Sequence, residues 1–86
     1  MKKNYDFSEK EIGVKIQAMM ISIGIKIKKE RLTSKMGRAE LAYLAGTTEN
    51  MICNIENGKK AGISVYTLVK ISEALDIKLC ILFEMK

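Results

Sequence analysis

The sequence predicts an all-α fold, and three observations carry that expectation. There is no proline, and only six glycines are spread over 86 residues, so little forces the chain out of a helix. Apolar residues recur at spacings of three and four along most of the chain. Serine, threonine and glycine stand where those runs begin and end, as helix caps do. A chain of this length makes one small domain with a modest core. Its 48% hydrophobic and 29% charged residues match an ordinary folded composition.

The elements follow in order. Residues 1–18 read as an N-terminal tail leading into an extension helix. Within them Ser8-Glu9-Lys10-Glu11 fits a capping box, in which the serine oxygen accepts from the N3 amide. Ile12, Ile16, Met19, Ile23 and Ile27 then share one helical face. Ile21, Ile23, Ile25 and Ile27 also alternate with polar residues and glycine, as in a strand. The helical pattern reaches further on both sides and is preferred. Gly24 is expected to mark a break in this helix, since glycine costs a helix interior about 1 kcal/mol relative to alanine.

A turn at Lys35-Met36-Gly37 precedes a short helix from about Arg38 to Ala45, with Leu41, Ala42 and Ala45 apolar and Gly46 as its stop. Thr47 or Thr48 caps the next helix, from about Glu49 to Asn57, with Met51, Ile52 and Ile55 inward and Gly58 closing it. Ser64 caps a helix to about Leu75, with Val65, Leu68, Ile71 and Leu75 on its inner face. In the last segment, residues 77–86, the residues Ile77, Leu79, Ile81 and Phe83 alternate with their neighbours at period two. That predicts a strand, with a short fifth helix as the alternative. A lone strand needs a partner for its backbone, so this segment is expected to be the seam of a homodimer.

The formal net charge is +5, and the excess lies wholly in residues 1–35. That balance suits nucleic acid, an acidic partner or a membrane surface. The longest uncharged stretch, Ile16 to Ile25, is about half of what a membrane span needs, so no membrane partner is expected. Absence of histidine removes the commonest general base and zinc ligand. Cys53 and Cys80 cannot complete a zinc site alone and read as buried, reduced thiols of a cytoplasmic protein. No catalytic residue, metal or cofactor is assigned, and an enzyme is not expected.

Two short helices joined through a glycine turn, with small Ala42 where they cross, describe a helix-turn-helix over residues 19–76. Its second helix would present Thr48, Glu49, Asn50, Cys53, Asn54 and Asn57 outward. These residues carry a resemblance. Ile23-Gly24 with Ile27 and Arg31, then Glu40-Leu41-Ala42, Gly46-Thr47-Thr48, Ile52, Ile55-Glu56-Asn57-Gly58-Lys59 and Leu68 to Leu75 resemble the Cro/repressor-type (Xre) helix-turn-helix family. The resemblance implies a compact lambda-repressor-like domain of five helices, or four helices and a C-terminal strand. It also implies double-stranded DNA bound by a homodimer.

Position by position, the resemblance implies base contacts from Thr48, Glu49, Asn50 and Asn54. It implies phosphate contacts from Arg38, Asn57, Lys59 and Lys60, and a structural ion pair between Arg31 and Glu56. The chain departs from the family at Glu30, usually apolar, and at Gly37, usually a serine or threonine cap. Its recognition helix also lacks any Lys or Arg. The strand-like end resembles that of persistence-type antitoxins, a branch in which a toxin protein is a further partner. The expected function is a sequence-specific transcriptional regulator, acting as a repressor on a pseudo-palindromic operator. The alternative is a protein-interaction module that keeps the fold without specific DNA binding.

Overall fold

A computed structural model describes residues 8–59 and 63–84. Among them are five helices: α1 (Glu9–Thr33), α2 (Arg38–Ala45), α3 (Glu49–Glu56), α4 (Val65–Leu75) and α5 (Leu79–Leu82). The architecture is all-α, as the sequence predicts.

The caps are set by the chemistry of single side chains. The Oγ atoms of Ser8 and Ser64 accept from the amides of Glu11 at 3.0 Å and Thr67 at 3.1 Å, satisfying donors that the first turn of each helix leaves free. Gly37 caps α2 with no side-chain hydrogen bond.

The core forms where all five helices meet. Ile23 and Ile27 of α1, Leu41 of α2, Ile52 and Ile55 of α3, Ile71 of α4 and Leu82 of α5 are all essentially sealed from solvent. Burying each such side chain contributes about 1.5–3 kcal/mol.

α1 runs unbroken through Gly24, against the expectation of a break. The glycine is there for contact. A Cβ built on it would lie 2.3 Å from the Ile55 carbonyl oxygen and 2.8 Å from that of Glu56. No side chain fits at this crossing, so the backbones of α1 and α3 touch. Met20, not Met19, completes the buried face of α1, because it lies on the same side as Ile23 and Ile27. Val65, expected inward, is 63% exposed at the start of α4.

The predicted strand over 77–83 is replaced by a turn and α5. Asp76 takes a left-handed conformation (φ 57°), and the Ile77 amide donates to the Ser72 carbonyl at 3.0 Å. This folds the chain back onto α4 and α1. Ile77 and Leu79 then pack against the core, and Leu82 is fully buried. Local bonds, Ile81 N to Lys78 O at 3.0 Å and Phe83 N to Cys80 O at 3.1 Å, satisfy backbone groups that a strand would have offered to a partner. Phe83 is the most exposed of the four expected seam residues, at 38%. Cys80 is exposed and Cys53 half-buried, and both are free thiols. Cys80 stays outside because Leu79 and Leu82 take the inward positions of α5.

Among the described residues, no helix is long and apolar enough to cross a membrane.

Candidate nucleic-acid interface

The site is built from α2, the turn Gly46-Thr47-Thr48 and α3. Gly46 has φ 67°, which glycine adopts without steric cost. The Thr47 amide closes on the Ala42 carbonyl at 2.9 Å, ending α2 sharply. Thr48 is the N-cap of α3, and its Oγ1 accepts from the Met51 amide at 3.0 Å. That bond uses one lone pair and leaves the hydroxyl proton to donate elsewhere.

α3 is held from behind in several ways. Ile52 and Ile55 are fully buried. Gly58 closes the helix with φ 69°, and the Lys59 amide bonds the Asn54 carbonyl at 2.9 Å. A Cβ at Gly58 would approach Cγ1 of Ile21 to 2.9 Å, and the Gln17 amide nitrogen donates to the Gly58 carbonyl at 3.1 Å. The end of α3 is thus fastened to α1 at Gln17, Ile21 and Gly24.

A charged cluster completes the brace. Arg31 donates through Nε to Glu56 Oε2 at 2.6 Å and through its Nη2 to Oε1 at 3.0 Å. Its Nη1 donates to the Met36 carbonyl at 2.8 Å, which fixes the turn before α2. Arg38 Nε donates to Glu56 Oε1 at 3.1 Å. The Glu56 side chain is completely buried and that of Arg31 nearly so, while Arg38 is 35% exposed. The hydrogen bond with Glu56 raises the Arg31 guanidinium above its already high ordinary value, against the opposing effect of burial. Two guanidiniums on one carboxylate leave the cluster with a net positive charge, and the more exposed cation is Arg38 at the start of α2.

The front of α3 is open. Thr48, Glu49, Asn50 and Asn57 are exposed, and Cys53 and Asn54 are half-buried. Asn50, Asn54 and Asn57 recur at helical spacing and share a face. The Asn57 amide nitrogen rests on Cys53 Sγ at 3.5 Å. Lys59 is exposed just beyond α3, and Lys60 lies outside the described residues. One front therefore holds amides and carboxylate suited to base edges, flanked by cations suited to phosphates.

Three contributions escape the sequence reading: Gln17, the close approach at Gly24, and the bond from Arg38 to Glu56. Only Gly24 carried a signal, since a glycine inside a helical pattern asks for a packing reason.

Two short helices meeting at a glycine turn, the second braced from behind and open in front, define a helix-turn-helix domain. The helix-turn-helix family model matches residues 27–82, and the chain belongs to that family, in its Cro/repressor (Xre) branch. Among solved structures it is similar to the restriction-modification controller protein C.AhdI from Aeromonas hydrophila. The likeness has 25% sequence identity and a TM-score of 0.73, covering 78% of this chain and 96% of that one. No curated protein sequence matches the chain.

Proposed function

We propose that this DNA-binding transcriptional regulator reads its site through the open face of α3, as a homodimer on a pseudo-palindromic operator, and represses by occupying it. The observation that carries the reading is the mounting of α3. Buried isoleucines, the Arg31–Glu56 pair and the contact at Gly24 all hold its rear, while Thr48, Glu49, Asn50 and Asn57 on its polar front are exposed.

In this reading Asn50 and Asn54 pair with adenine edges, Glu49 accepts from cytosine, and Thr48 meets a thymine methyl or a phosphate. Arg38, Asn57, Lys59 and Lys60 hold the backbone. The Nη groups of Arg38 make no hydrogen bond among the described residues, which leaves them for a phosphate. Likeness to a controller protein supports a regulator of transcription. The strand that suggested persistence-type antitoxins is a helical turn, so no toxin enters the proposal.

One observation favours a second reading. α3 contains no Lys or Arg and exposes Glu49, as a protein-interaction module without DNA binding would. Titrating the affinity for mixed-sequence duplex against salt separates the two. A DNA binder loses affinity linearly in log salt, because phosphate contacts release counterions. Absence of duplex binding at low salt would leave the interaction module.

A further inference from the structure

Beside its core-facing residues, α1 carries a second row of contacts. Gln17, Ile21 and Gly24 follow at spacings of four and three, which puts them on one side of the helix. All three meet the end of α3. A Cβ on Gly24 would collide with the carbonyl oxygens of Ile55 and Glu56, Ile21 lies against Gly58, and Gln17 donates to the Gly58 carbonyl. The family match begins at residue 27, so this row belongs to the part of α1 ahead of it.

Gly58 is buried, and the carbonyl of a buried residue needs a donor. Among the described residues that donor is Gln17 Nε2, at 3.1 Å. The group bonded to this carbonyl is the Lys59 amide, which donates to the Asn54 carbonyl at 2.9 Å. The Gly58 carbonyl and the Lys59 amide are opposite ends of one planar peptide unit. α1 holds one end and α3 the other, so the plane cannot turn without breaking a hydrogen bond. Glycine alone would leave it free to turn. From this unit Lys59 and the loop after it leave α3.

We propose that Gln17 is a positioning residue for DNA binding: it fixes the Gly58–Lys59 peptide and so aims Lys59 at the phosphate backbone. The proposal rests on the reading that Lys59 grips a phosphate. A loop already set in its bound geometry avoids the cost of being ordered at the moment of binding. Ile21 and Gly24 hold the end of α3 by close contact, whereas Gln17 holds it by direction. An unbranched apolar residue at position 17 would serve the helix as well as glutamine does, but only the amide supplies the donor.

Gln17→Met keeps the length, the neutrality and the helix propensity and removes the donor. Fluorescence anisotropy of the full chain is measured on a duplex selected from a random pool and on a mixed-sequence duplex. Lys59→Ala and the double variant complete a cycle, and circular dichroism checks that each variant is folded. Gln17→Met should weaken both duplexes alike, by about fivefold, the worth of one hydrogen bond. Lys59→Ala should then cost less in the Gln17→Met background than in wild type, because that lysine is no longer aimed. A purely structural role would lower the melting temperature and leave the two substitutions additive. Without DNA, the order parameter of the Lys59 amide from nitrogen relaxation should fall from a rigid value of about 0.85 to about 0.6. Unchanged affinity, an additive cycle or an equally rigid Lys59 amide in Gln17→Met would each overturn the proposal. Wild-type protein that binds neither duplex at low salt would overturn the DNA reading and this proposal together, whereas wild type that binds while Gln17→Met binds equally would overturn this proposal alone.

Discussion

Arg31 grips Glu56 through two hydrogen bonds, 2.6 and 3.0 Å long, across 25 residues of sequence and out of reach of water. The pair joins the last turn of α1 to the end of the recognition helix. Removing one partner leaves a buried charge uncompensated, which costs more than an exposed ion pair ever contributes. Glu56→Gln should therefore lower stability by about 3 kcal/mol or more, measured by urea unfolding. Arg38→Ala should cost no more than about 1 kcal/mol, because Arg38 is partly exposed and Glu56 keeps Arg31. Because the pair raises Arg31 above its ordinary value, its contribution is fully present below that value. It disappears only as pH climbs past it, so alkaline titration short of that range should leave it intact.

The crossing of α1 and α3 predicts opposite outcomes for one substitution at two glycines. Gly24→Ala should destabilise by about 2 kcal/mol or more, since its Cβ would stand 2.3 Å from the Ile55 carbonyl oxygen and the helices must separate. Gly13→Ala meets nothing within 4 Å. It should stabilise by up to about 1 kcal/mol through helix propensity alone. Thermal melts of the two variants decide the matter.

These cases show what the sequence displayed and what it hid. Ser8, Thr48 and Ser64 were readable as caps because their chemistry is local, one oxygen answering one amide in the next turn. Gly46 and Gly58 were readable because a glycine after an apolar run has few other uses. The pairing of Ile52 with Ile55 followed from period alone. Gly24 does not break the helix as its propensity predicts, because the reason for it lies on α3, about thirty residues away. Residues 77–83 depart from the predicted strand for a related reason. Their alternation is real, but Asp76 turns the chain back, and tertiary packing of Leu79 and Leu82 overrides the local period. At the interface, the outward set on α3 followed from helical geometry. The bond from Arg38 to Glu56 did not, since it depends on how the N-terminus of α2 meets the C-terminus of α3.

Thr48 has two roles that a pair of variants separates. Thr48→Ala removes the N-cap and should cost about 1 kcal/mol of stability. Thr48→Asp keeps a good cap but adds a negative charge where the phosphate backbone would approach. It should remain as stable as wild type while losing DNA affinity. Urea unfolding and fluorescence anisotropy on the same preparations distinguish the two.

The polar front of α3 predicts a division of labour. Asn50→Ala and Asn54→Ala should each cost about 1–3 kcal/mol on the specific site and relax preference at a single base position. Lys59→Ala and Lys60→Ala should weaken all duplexes alike and reduce the salt slope by about one each. If the asparagine variants instead weaken all sequences uniformly, those side chains hold phosphate rather than read bases.

The central claim is that α3 reads a specific sequence, and selection of bound duplexes from a random pool tests it most directly. The account predicts enrichment of a pseudo-palindrome whose half-sites are about 10 base pairs apart, one helical turn. It also predicts that Asn50→Ala, carried through the same selection, loses preference at one position in each half-site. A pool that emerges without any enriched motif, from wild-type protein that is folded and at low salt, would contradict it.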